Sequence, residues 1–164
     1  MRRKDWAAIW ILAAVGVVLA IWALNARSPN RLRVLGYTRP VAGLIEGSHV
    51  TTYYCFKGDI KGFTSNATSE LARYGFRIRK QDIPFQNSLQ TEFADKDNST
   101  VLIAQGKCWV EHSTVAGDFL AVDQTPGWII VTIHEEQTKY ALADWWGRFT
   151  GKSGGKRQLV DLTK

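Results

Sequence analysis

The sequence predicts an α+β domain behind one N-terminal transmembrane helix, and three observations carry that reading. Trp6 to Leu24 contains no charged residue. Several later runs are rich in β-branched and aromatic residues, the pattern of strands. Two helical patterns flank those runs, and the first of them ends at a glycine.

The charge-free stretch would span about 28 Å as a helix, close to the thickness of a bilayer's hydrocarbon core. Trp6 and Trp10 lie near one end and Trp22 near the other, where indole rings settle at headgroup level. A cleaved signal peptide is disfavoured. Its apolar stretch is shorter and ends in small residues, whereas here Leu24 and Ile21 fall where small residues are required. Arg2, Arg3 and Lys4 precede the stretch and Arg27, Arg31, Arg33 and Arg39 follow it, so the positive-inside count is nearly balanced. The three N-terminal charges would all have to cross the membrane in the opposite orientation, so the N-terminus is expected inside and the domain outside.

The chain has 164 residues and a net charge of +6. A charge of that sign suggests a nucleic-acid partner until it is located. Residues 1–33 carry +5, residues 34–147 carry −3 and residues 148–164 carry +4. The basic excess sits at the two ends, and the middle lacks the basic face a nucleic-acid reader needs. Nucleic acid is therefore not an expected partner.

Residues 1–5 read as a short basic tail, 6–24 as the anchor and 25–47 as a juxtamembrane linker. Residues 48–150 read as the soluble domain and 151–164 as a flexible basic tail. Within the domain, His49–Phe56 is a strand. Thr64 or Ser65 caps a helix running to about Tyr74, and Gly75 stops it. Phe76–Arg79, Leu89–Ala94 and Thr100–Val110 follow as strands, the last two forming a hairpin about Asp95–Ser99. Phe119–Val122 is a short edge strand. Trp128–Ile133 is almost wholly apolar, which places it at the centre of the sheet. A last helix runs from about Gln137 to Phe149. The result is a mostly antiparallel or mixed sheet of about five strands with two helices.

Candidate chemistry is sparse. Cys108, Glu111 and His112 cluster in sequence, and a thiolate beside an imidazole is a nucleophile. On a strand, however, Cys108 and His112 would lie about 13 Å apart. A zinc site needs more ligands than this segment offers, so no metal and no cofactor is expected. In an oxidising compartment Cys55 and Cys108 form a disulfide; in a reducing one they stay as buried thiols. Gly147 to Ser153 imitates a phosphate loop, but with one residue too few and after a helix rather than a strand. His134-Glu135-Glu136 precedes the last helix, where acids favour the helix dipole.

Leu142, Trp145, Trp146 and Phe149 form one apolar stripe. Packing on the sheet is its usual fate. If exposed, Trp145, Trp146 and Phe149 with Lys152, Lys156 and Arg157 would make an interaction surface. The leading expectation is a non-catalytic binding or assembly domain in the cell envelope, with the lipid bilayer and a nearby protein as partners. A membrane-tethered thiol enzyme using Cys108 and His112 is one alternative. A membrane-surface regulator docking through the aromatic helix and basic tail is the other.

Overall fold

The computed structural model describes residues 3–26, 28–81, 90–95, 97–114, 117–150 and 157–163. Helix α1 spans Arg3–Ala26. Its segment Trp6–Ala23 is long and apolar enough to cross a membrane, and none of it is buried by the rest of the protein.

Seven strands then form one antiparallel sheet in the order β3-β4-β5-β8-β2-β1-β9. They are β1 (Pro40–Glu46), β2 (His49–Lys57), β3 (Arg77–Gln81), β4 (Gln90–Ala94), β5 (Thr100–Gln105), β8 (Trp128–Glu136) and β9 (Gln158–Asp161). Strands β6 (Lys107–Ser113) and β7 (Gly117–Asp123) pair only with each other, as a separate hairpin. The α+β class stands, with a mostly antiparallel sheet, but the strands exceed the expected five. Trp128–Ile133 lies in β8, the middle strand, as its apolar run predicts.

Register divides the sheet into two faces. On one, the rows Tyr54–Val131–Ile103–Thr91 and Thr52–Ile133–Val101–Phe93 run across β2, β8, β5 and β4. Helix α2 (Ile60–Arg73) covers this face with Ala67 and Leu71, and Leu32, Leu35 and Phe76 complete the core. The chain leaves β2, crosses through α2 and re-enters the sheet at its far edge, β3.

Four expectations need correction. Helix α2 starts earlier than Thr64, because the Asp59 carboxylate accepts from the amides of Lys61 and Gly62 and caps it. Thr64 lies one turn inside, its carbonyl accepting from the Thr68 hydroxyl. The stop at Gly75 stands: this residue takes φ +87°, and the Phe76 amide closes back on the Leu71 carbonyl at 3.1 Å, a glycine cap.

The segment 25–47 is not merely a linker. It holds two 3-10 turns, Pro29–Arg31 and Arg33–Leu35, and then β1. Thr100–Val110 is two strands rather than one. Gly106 breaks it at φ +155°, where a Cβ would collide with the Asp123 carbonyl and the Ile130 side chain, and beyond it the chain leaves the sheet for the hairpin. Finally, part of the basic tail is ordered, since β9 pairs with β1 from Ala42↔Asp161 to Ile45↔Gln158. Leu89, the Gly151–Gly155 stretch, Lys152 and Lys156 lie outside the described residues.

Helix α3 spans Thr138–Phe149. Its stripe does not pack on the sheet: Leu142, Trp145, Trp146 and Phe149 are 55%, 60%, 59% and 73% exposed.

Candidate functional site

The sheet's second face is built from two cross-strand rows, Tyr53–Thr132–Leu102–Glu92 and Cys55–Ile130–Ala104–Gln90. The β6–β7 hairpin lies over part of it, against β1, β2 and β8. Cys108 on β6 is joined to Cys55 on β2, with Cα atoms 6.0 Å apart. Among the described residues the hairpin shares no strand pairing with the sheet, so this link and side-chain contacts hold it in place.

Beside the hairpin the second face stays open as a groove of about 530 Å³. Leu102, Ala104, Ile130 and Val122 supply its apolar floor, and Gln90, Gln105, Gln124, Tyr53 and Thr132 supply polar groups. Burial raises the Tyr53 hydroxyl above its ordinary value, against the opposing charge of Arg157, which keeps it a neutral donor. Among the described residues, Asp123 is the one acid in this lining. The Thr125 hydroxyl, chiefly, holds its carboxyl below the usual range, and Lys107 pairs opposite it across the hairpin. The lining thus combines an apolar floor with a few hydrogen-bonding side chains, the usual make-up of a binding site.

The sequence cluster Cys108, Glu111 and His112 is not brought together. Cys108 is buried and bonded to Cys55. The ring of His112 instead sits between Asp118, at 2.7 Å, and Asp161, at 3.3 Å, linking the hairpin to β9. Glu111 is exposed beside Phe119. Among the described residues no group of three metal-ligating side chains converges. Arg157 lies just before β9, near Tyr53.

Sequence reasoning missed a second constellation, at the end of the domain from which α1 leaves. Glu135 on β8 is 4% exposed. It accepts from the Ser28 hydroxyl at 2.6 Å, from the Asn30 amide and from the Gln137 amide at 2.9 Å. Asn30 accepts in turn from the Tyr54 hydroxyl at 2.9 Å. Burial, and then the Glu135 charge, raise the Tyr54 hydroxyl above its ordinary value, so it remains a donor. A second carboxylate, Glu70 on α2, accepts from the amides of Arg33 and Val34. Two acids from separate elements therefore fix the chain just after α1. The signal for Glu135 was present: period two along β8 puts it on the same face as Ile129, Val131 and Ile133.

His134 points to the other face. Its ring stacks on His49 with centroids 5.2 Å apart, and Nδ1 lies 2.9 Å from the Thr51 hydroxyl. Burial first, then the His49 charge, lower its pKa, while Glu46 and Glu135 pull it up. A lowered folded pKa means that the unfolded chain binds the proton more readily. The contribution is complete above the unfolded value of about 6.5 and is lost as pH falls from there toward the folded value. The melting temperature of the full chain in nanodiscs is therefore expected to fall between pH 7 and pH 5. His134→Gln is expected to flatten that slope; an unchanged slope would refute the assignment.

Comparison with protein-family models, curated proteins and solved structures yields no match for this chain.

Proposed function

We propose that this chain is a single-pass membrane protein of the cell envelope whose small domain binds a partner outside the membrane, without catalysing a reaction. The open groove on the second face carries the reading. At about 530 Å³ it falls within the ordinary range of ligand sites, and its chemistry suits an extended, uncharged peptide segment of a neighbouring protein. The apolar helix α1 supports the membrane assignment. The basic residues Arg2, Arg3 and Lys4 support an internal N-terminus, and the Cys55–Cys108 bond suits an oxidising compartment. The thiol-enzyme reading is set aside because Cys108 is bonded and His112 is held by Asp118 and Asp161.

The test places a photo-reactive benzophenone side chain at Val122 in the full chain, in living cells. A discrete protein adduct is expected, and Ala104→Trp, which fills the groove floor, is expected to abolish it without lowering the amount of protein. Either an adduct indifferent to Ala104→Trp or none at all would overturn the reading.

A further inference from the structure

The aromatic face of α3 is left uncovered by the rest of the domain. Trp145, Trp146 and Phe149 form a mutual cluster instead, with Phe149 5.8 Å from Trp145 and 5.9 Å from Trp146 between ring centroids. Four large apolar side chains on one short helix make a contiguous patch of the kind that marks an interaction surface.

The position of this helix says what covers the patch. Ser28 follows the end of α1 by two residues, and Glu135 precedes the start of α3 by three. The 2.6 Å bond between these side chains pins both helices to one point of the domain. Helix α3 also touches α1. A helix that starts beside the end of a membrane-spanning helix would start at the bilayer surface. Trp and Phe are the side chains that favour the boundary between headgroups and acyl chains. In sequence, Lys139 and Arg148 outnumber Asp144 over residues 138–149, which suits anionic headgroups.

We infer that α3 is an interfacial helix, seated with Leu142, Trp145, Trp146 and Phe149 in the surface of an anionic phospholipid bilayer beside α1. This rests on α1 being a membrane anchor. With both helices in lipid, the domain is held close to the membrane at a fixed tilt rather than swinging on a tether.

The full chain is reconstituted into nanodiscs of phosphatidylcholine and phosphatidylglycerol. They contain a phospholipid with a diazirine near the glycerol end of one acyl chain. After photolysis, lipid adducts are mapped by mass spectrometry. Adducts are expected on α1 and on residues 141–149. Replacing phosphatidylglycerol by phosphatidylcholine should lower the α3 yield severalfold, because basic residues near the surface are drawn to anionic headgroups, and leave the α1 yield unchanged. Trp146→Glu with Phe149→Glu should remove the α3 adducts alone. Adducts confined to α1 would overturn the inference while leaving the anchor intact. Cross-links from α3 to a second copy, without lipid adducts there, would overturn it in favour of a self-association surface. Absence of lipid from both helices would remove the anchor reading itself.

Discussion

Replacing either Cys55 or Cys108 by Ser is expected to lower the unfolding free energy of the full chain by about 4 kcal/mol, from the chain-entropy cost of freeing a loop of this length. The two cysteines are 53 residues apart in sequence. That span includes α2 and β3 to β5, so the link restrains much of the unfolded chain. Its effect on the folded state is more local. Among the described residues the β6–β7 hairpin joins no strand ladder of the seven-stranded sheet, and Cys108 is its covalent tie to β2. The double variant should be no less stable than the worse single variant, because either change alone breaks the bond. Chemical denaturation in nanodiscs, with and without reductant, measures all three. Equal stability of wild-type and double variant would refute the prediction. Loss of the benzophenone adduct at Val122 in the same variants would tie the groove's shape to the hairpin's attachment. A mass shift of the wild-type protein on alkylation only after reduction would show that the bond forms in the cell, as the envelope reading requires.

The sequence made local features legible and left paired ones hidden. The run without charge from Trp6 and the apolar run of β8 declare themselves, since each is set by the solvent on both sides of the element. Gly75 is legible for a similar reason: the need for a left-handed residue is local. Strand β1 is not. Pro40, Gly43 and Gly47 argue against a strand in isolation, and the segment becomes one only through its bonds to β2 and β9. The four residues of β9 carry no pattern long enough to read, and they too depend on a partner far away in sequence. The stripe on α3 was read correctly as a stripe. Periodicity defines a face without saying whether protein or lipid covers it. The groove was out of reach because its lining comes from β2, β4, β5, β7 and β8 together, and only register brings those residues into adjacent rows.

Glu135→Leu is expected to destabilise the full chain by about 3 kcal/mol, the scale for stranding buried polar groups after removal of their common partner. Leucine matches the size of the side chain and suits the apolar face of β8, so packing alone predicts a neutral result. The hydrogen bonds decide otherwise. Ser28, Asn30 and Gln137 all donate to this one carboxylate, and leucine accepts from none of them. The loss should spread along the segment that follows α1, with faster amide exchange at Ser28, Asn30 and Arg31. Arg33 and Val34 should exchange less readily, because Glu70 still accepts from their amides. Combining Glu135→Leu with Ser28→Ala separates this account from a general loss of packing. If the two side chains act through one bond, the double variant should be about 1 kcal/mol more stable than the sum of the single effects predicts. Additive effects, or a Glu135→Leu protein as stable as wild type, would show that the carboxylate does not organise this end of the domain. A positive cycle has a consequence for α3 as well. The Ser28–Glu135 bond joins the chain leaving α1 to the strand that feeds α3, so loosening it should lower the lipid adducts on α3 while those on α1 persist.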